Sequence, residues 1–174
     1  MIWIKNKNLN QIRLQMSDGK TIIKKESTKT GFNLTFSDGS QLFIDEETYF
    51  KKNVYEKNYL AEPEIIEIKE KTEARQCYNK ALSYLLNGSK TENRLRIYLE
   101  NKRFSYKAVN MAVDLLKGDN KINDFEFINK YINKQLKQNI KRDKLIAKLI
   151  YQGISQEIAI EAVDKVIKND EDTY

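Results

Sequence analysis

Six lysines stand at intervals suited to gripping a polyanion. Lys130, Lys134, Lys137, Lys141, Lys144 and Lys148 follow one another at spacings of 4, 3, 4, 3 and 4 residues. On a continuous helix that spacing keeps side chains along one stripe. Ammonium groups so placed attract phosphates or carboxylates as point charges. Arg142 lies inside the stripe, and Arg94 and Arg96 precede it in the chain. The expected contact surface is therefore Arg94, Arg96, Lys130, Lys134, Lys137, Lys141, Arg142, Lys144 and Lys148. The plainer reading of the same residues is the solvated back of two amphipathic helices.

Charge is unevenly spread along the 174 residues, which carry a net +6. Residues 1–70 hold 11 basic and 11 acidic side chains, whereas 71–150 hold 18 and 8. Residues 151–174 hold 2 basic and 6 acidic ones, ending in Asp170-Glu171-Asp172. A neutral start, a strongly basic middle and an acidic tail put the field for polyanions in the middle segment.

Other chemistry is largely excluded. Histidine is absent and Cys77 is the one cysteine. That removes a Ser-His-Asp triad, a Cys-His pair, a two-histidine zinc site and any intramolecular disulfide. Asp124 and Glu126 are two residues apart and point in different directions on a helix; their simpler use is charge at a helix N-terminus. No Gly-x-x-x-x-Gly-Lys-Ser/Thr loop is present for a nucleotide. The expectation is a protein that is not an enzyme and has no catalytic residues, metal or cofactor. No stretch approaches the roughly 18 apolar residues of a membrane span. Met1-Ile2-Trp3-Ile4-Lys5 is too short and too soon charged for a signal peptide. A cytoplasmic monomer without a membrane partner is expected, since no heptad seam appears.

Two internal repeats supply the elements that must position the lysines. Leu14-Gln15-Met16-Ser17-Asp18-Gly19 recurs 20 residues later as Leu34-Thr35-Phe36-Ser37-Asp38-Gly39. Asp-Gly between alternating apolar residues predicts hairpins. A three-residue Ser-Asp-Gly loop sets Phe36, Leu34 and Phe32 opposite Ser40, Leu42 and Ile44, and gathers five apolar residues on one face. That register requires Gly39 to be left-handed; the first hairpin then sets Leu14 opposite Ile22. The second repeat has a period of 50: Leu95, Leu99, Ser105, Ala112, Val113 and Asp114 return as Leu145, Leu149, Ser155, Ala162, Val163 and Asp164. A period of that length is a supersecondary unit used twice.

Each unit reads as three helices, at about 72–87, 91–103 and 105–117, then about 123–138, 141–152 and 155–168. Their apolar faces include Cys77, Tyr78, Leu95, Leu99, Val109 and Val113, then Phe125, Ile128, Leu145, Leu149, Ile158 and Val163. Thr91, Ser105, Asn123 and Ser155 stand where N-caps are wanted. Gly88, Gly118 and Gly153 mark stops, and Pro63 suits a first helical turn. The predicted fold is mainly α with a small N-terminal antiparallel β region, followed by tandem three-helix, helix-turn-helix-like repeats in an elongated array. The predicted domains are a hairpin region at 1–61, a linker helix and first repeat at 62–119, and a second repeat with the acidic tail at 120–174.

These units resemble the repeats of the RecX family. Thr91-Glu92-Asn93-Arg94-Leu95-Arg96-Ile97-Tyr98-Leu99 is similar to the family's helix opening, and Lys102-Arg103-Phe104-Ser105 to the turn that follows it. Lys121-Ile122-Asn123-Asp124-Phe125-Glu126-Phe127-Ile128 resembles the run that opens the second unit, as do Lys144-Leu145 and Gln152-Gly153-Ile154-Ser155 farther on. The likeness covers about 72–168 well and 30–70 loosely. Asn139-Ile140-Lys141-Arg142 replaces the family's Gly-x-Gly-Pro, Arg94 stands where an acid is frequent, and two of the usual three repeats are present. The resemblance implies a non-enzymatic regulatory protein that binds RecA recombinase filaments on single-stranded DNA. It would modulate RecA activity in recombination, DNA repair and the SOS response, with inhibition the expected sense. The alternative is an independent helix-turn-helix-like DNA-binding regulator. Against it, the helix after the second turn offers Gln156, Glu157 and Glu161, and acids oppose docking in a phosphate-lined groove.

Overall fold

The computed structural model describes residues 18–138 and 140–171, without the side chains of 169–171. The expected pairing of Leu14 with Ile22 lies outside the described residues. The chain divides into two compact units, Met1–Arg75 and Gln76–Tyr174.

In the first unit, β1 (Gly19–Ser27), β2 (Gly31–Phe36), β3 (Gln41–Asp45) and β4 (Tyr59–Ala61) form one antiparallel sheet in the order β3-β2-β1-β4. Phe32 faces Ile44 and Leu34 faces Leu42, the register read from the sequence. The Phe36 N–H donates to the Ser40 carbonyl at 2.9 Å, and Gly39 takes φ 79°. Only glycine adopts that conformation without a Cβ penalty. Asp38 accepts from the Ser40 N–H at 2.9 Å and pairs with Lys20 at 2.7 Å. The hydrogen bond from Lys20 holds the Asp38 carboxyl well below the usual carboxylate range. The apolar face buries Leu34, Phe36, Leu42 and Ile44. Asp45 caps the short helix α1 (Glu46–Lys51) by accepting from the Thr48 N–H. Helix α2 (Glu62–Leu85) carries Pro63 in its first turn and adds Ile65 and Ile68 to this core.

The second unit holds the end of α2 and then α3 (Glu92–Asn101), α4 (Tyr106–Gly118), α5 (Asp124–Leu136), α6 (Arg142–Tyr151) and α7 (Gln156–Glu171). Thr91, Ser105 and Asn123 each accept the N–H three residues on at 3.2 Å, satisfying a helix-end donor that would otherwise lack a partner. Ser155 accepts from Ile158 at 3.4 Å. Gly88 and Gly153 end their helices with φ 106° and 91°, whereas after α4 the left-handed position falls to Asn120. Gly118 is the last residue of α4.

Two apolar clusters follow the two repeats. The first gathers Cys77, Tyr78, Leu95, Leu99, Val109 and Val113, and the second gathers Ile128, Ile132, Leu145, Leu149 and Val163. The fold class read from the sequence therefore stands: mainly helical, with a small N-terminal antiparallel sheet. Two residues of its apolar faces are nonetheless exposed. Phe125 is 66% exposed and Ile158 52%, and both line a groove of about 330 Å³ with Ile128, Ala162 and Val166. At the matching place of the first repeat the larger Tyr78 stands for Ile128, buried and donating its hydroxyl to Asp119 at 2.6 Å. Periodicity fixes which face of a helix a residue occupies, but not whether another element covers it.

Candidate polyanion-binding surface

The lysines divide between two helices and by what each side chain does. On α5, Lys130 and Lys134, with Lys137 at the C-cap, fall opposite the buried Ile128, Ile132 and Gln135. Lys130 pairs with Glu126 one turn back at 3.1 Å. Lys141 is the N-cap of α6 and contributes no side-chain cap, and Lys144 is exposed in the first turn. Lys148 is turned inward, where its ammonium donates to the buried Gln135 Oε1 at 2.8 Å. Lys134, Lys137, Lys141 and Lys144 have no hydrogen-bond or ion-pair partner among the described residues. An ammonium with no internal partner presents its full charge to an outside anion.

The arginines stand in internal bonds. Arg142 holds Asp164 of α7 through two parallel bonds, Nε to Oδ1 at 2.6 Å and Nη2 to Oδ2 at 2.8 Å. This fork geometry is specific to guanidinium. It holds the Asp164 carboxyl below its ordinary value. Arg96 donates to Glu92 at 2.8 Å and to Asn110 at 2.7 Å. Arg94 donates to the Tyr151 carbonyl at 2.5 Å, with its guanidinium 4.5 Å from the centre of the Tyr151 ring. Among the described residues, Lys134, Lys137, Lys141 and Lys144 are thus free of partners, whereas Arg94, Arg96, Arg142 and Lys148 stand in contacts within the chain.

Arg94 belongs to a polar seam between the two repeats that sequence reading missed. Thr91, wholly buried, donates its hydroxyl to the Gln152 carbonyl at 2.5 Å. The Glu92 N–H donates to Asp124 Oδ1 at 2.8 Å. A Cβ on Gly153 would meet the Asn93 side chain at 2.5 Å, so the seam needs glycine there for space as well as for φ. The N-cap pattern at Thr91 and the Gly153 stop were both legible. Their meeting across 61 residues was not.

Glu92 ties this seam to α4 through Lys117, and to Arg96 on its own helix. Burial pushes its carboxyl up, but the Lys117 and Arg96 cations outweigh burial and hold it below the ordinary 4.5. A group with a depressed folded pKa gives stability that is fully present above its unfolded value. That stability is lost as pH falls through the folded one. Unfolding followed by circular dichroism across the acid range should therefore show wild type losing stability below about pH 4.5. Glu92→Gln should show a shallower acid limb. Parallel limbs would remove Glu92 from the acid response.

Among the described residues no helix is long and apolar enough to cross a membrane, and no group of three or more His, Cys, Asp or Glu side chains could hold a metal.

No protein-family model matches the chain. A curated relative from Clostridium perfringens, Regulatory protein RecX, is 30% identical over 127 residues, which is 73% of this chain and 59% of that protein. A protein of the same name from Listeria monocytogenes is 27% identical over 111 residues, 64% of this chain and 41% of that protein. The chain thus spans about two to three fifths of the length of these curated relatives. A crystal structure of regulatory protein RecX matches with a TM-score of 0.67 at 20% identity, over 84% of this chain and 74% of that one, and so shares the fold.

Proposed function

The curated relatives and the matched fold support a RecX-family protein, and from that premise we propose that the chain binds RecA recombinase filaments on single-stranded DNA and inhibits RecA. It would act in the cytoplasm, in recombination and the SOS response, as a regulator and not as an enzyme. The observation that supports the reading is the group of four lysines, Lys134, Lys137, Lys141 and Lys144, which have no partners among the described residues and stand in the most basic part of the chain. They would contact the DNA phosphates of the filament or acidic residues of the recombinase.

The test is single-strand-dependent ATP hydrolysis by the cognate RecA, titrated with this protein at fixed moderate salt. Hydrolysis should fall at amounts well below stoichiometry with the DNA. Unchanged hydrolysis at several-fold excess would overturn the reading.

A further inference from the structure

A second cationic feature lies on the first helical repeat, away from the four free lysines in sequence. Tyr84 of α2 and Tyr98 of α3 stack with ring centres 3.9 Å apart and planes 6° from parallel. Both rings are half-buried against the first apolar cluster, which fixes them in place. Lys90 holds its ammonium 5.6 Å from the Tyr84 centre, and Lys102 holds its own 5.6 Å from the Tyr98 centre. Neither lysine has a carboxylate partner among the described residues. The order along the surface is cation, ring, ring, cation. Fifty residues on, Lys134 and Lys148 stand where Tyr84 and Tyr98 stand here. Two positions of the repeat are therefore aromatic in the first copy and cationic in the second.

An ammonium 5.6 Å from a ring centre is near the outer limit of a cation–π contact, which extends to about 6 Å. Such a contact is weak at an exposed site, so a flat group stacking closer can displace the lysine. Two parallel rings at this spacing already resemble two stacked bases, and single-strand grooves pair such aromatic faces with nearby cations. We propose that the outer faces of Tyr84 and Tyr98 stack bases of a single-stranded nucleic acid. Lys90 and Lys102 then move from the ring faces to the adjoining phosphates. An acidic peptide would engage the two lysines but leave the ring faces unused, so the parallel pair favours nucleic acid. The inference rests on the filament reading for its setting and deepens it by naming a base-contacting site.

The test uses the full chain with a fluorescent oligo(dT) strand and no recombinase, read by anisotropy. Tyr84→Leu/Tyr98→Leu should bind about 5- to 150-fold more weakly for each base stack lost. Tyr84→Phe/Tyr98→Phe should bind as wild type does. An abasic strand of equal length should bind wild type as weakly as the intact strand binds the leucine variant. Lys90→Gln/Lys102→Gln should lower the log–log salt slope by about 1.4 if both reach phosphates; this variant serves as well if the leucine variant fails to fold. Equal binding of intact and abasic strands, or no binding by wild type, would each overturn the inference. Base-dependent binding without any effect on RecA would overturn the filament reading alone. Inhibition of RecA without base-dependent binding would overturn this inference alone.

Discussion

Replacing Lys134, Lys137, Lys141 and Lys144 with serine is expected to abolish binding to RecA filaments while leaving the helical circular dichroism unchanged. None of the four ammonium groups has a partner among the described residues, so their removal breaks no bond within that part of the chain. Lys137 and Lys141 lie at helix ends, where intrinsic propensity counts least. Lys141 is the N-cap of α6, a position where serine is preferred to lysine. At Lys134 and Lys144 the helix-propensity cost of serine is a few tenths of a kcal/mol each. Binding should respond far more than folding. If all four reach phosphates, the log–log salt slope falls by roughly 0.7 for each, nearly 3 in all, and affinity at low salt falls by orders of magnitude. Arg142→Ser is the contrasting variant. It removes the fork to Asp164, so its effect should fall on the stability of α6 against α7. Filament affinity retained by the folded four-lysine variant would refute this surface.

Local order was legible in the sequence wherever one or two turns decide it. The three-residue Ser37-Asp38-Gly39 loop followed from where five apolar side chains had to point, and the period of 50 gave both helical units. The caps at Thr91, Ser105 and Asn123 followed from residue type and position alone. The polar partners were not legible, because helical spacing says which face a residue occupies and nothing about what lies opposite. Arg94, Arg96 and Arg142 read as surface charges, yet each meets a group that packing brings to it: the Tyr151 carbonyl, Asn110 and Asp164. Lys148 kept its place in the spacing of the stripe but turned in to Gln135. Phe125 and Ile158 kept helical spacing and still faced solvent, in a groove that they line with Ile128. The tyrosine stack was hidden for a related reason: Tyr84 and Tyr98 are adjacent only once α2 and α3 pack.

Thr91→Val should lower the stability of the helical unit by about 1.5–5 kcal/mol, although it conserves shape and is the smallest change that opens the seam. The Thr91 hydroxyl is wholly buried and serves two bonds at once. It accepts from the Arg94 N–H at 3.2 Å as the α3 cap, and it donates to the Gln152 carbonyl of the other repeat at 2.5 Å. Losing the cap costs about 0.5–2 kcal/mol. Leaving a poorly solvated carbonyl without its donor costs about 1–3 kcal/mol more. Valine matches threonine in volume, so no cavity term enters. Urea unfolding followed by helical circular dichroism should show a lower midpoint with an unchanged slope, which is the mark of lost stability and not of altered compactness. Thr91→Ser keeps the oxygen and both bonds, and should stay within about 1.5 kcal/mol of wild type, the cost of one buried methyl. The second repeat supplies the reciprocal case. Lys141 stands where Thr91 stands in the first and gives α6 no side-chain cap, so Lys141→Thr should raise stability by about 0.5–1 kcal/mol. If Thr91→Val lies within about 0.5 kcal/mol of wild type, as surface substitutions do, the Thr91–Gln152 bond does not hold the two repeats together. The Glu92–Asp124 and Arg94–Tyr151 bonds, with apolar packing, would then have to join them.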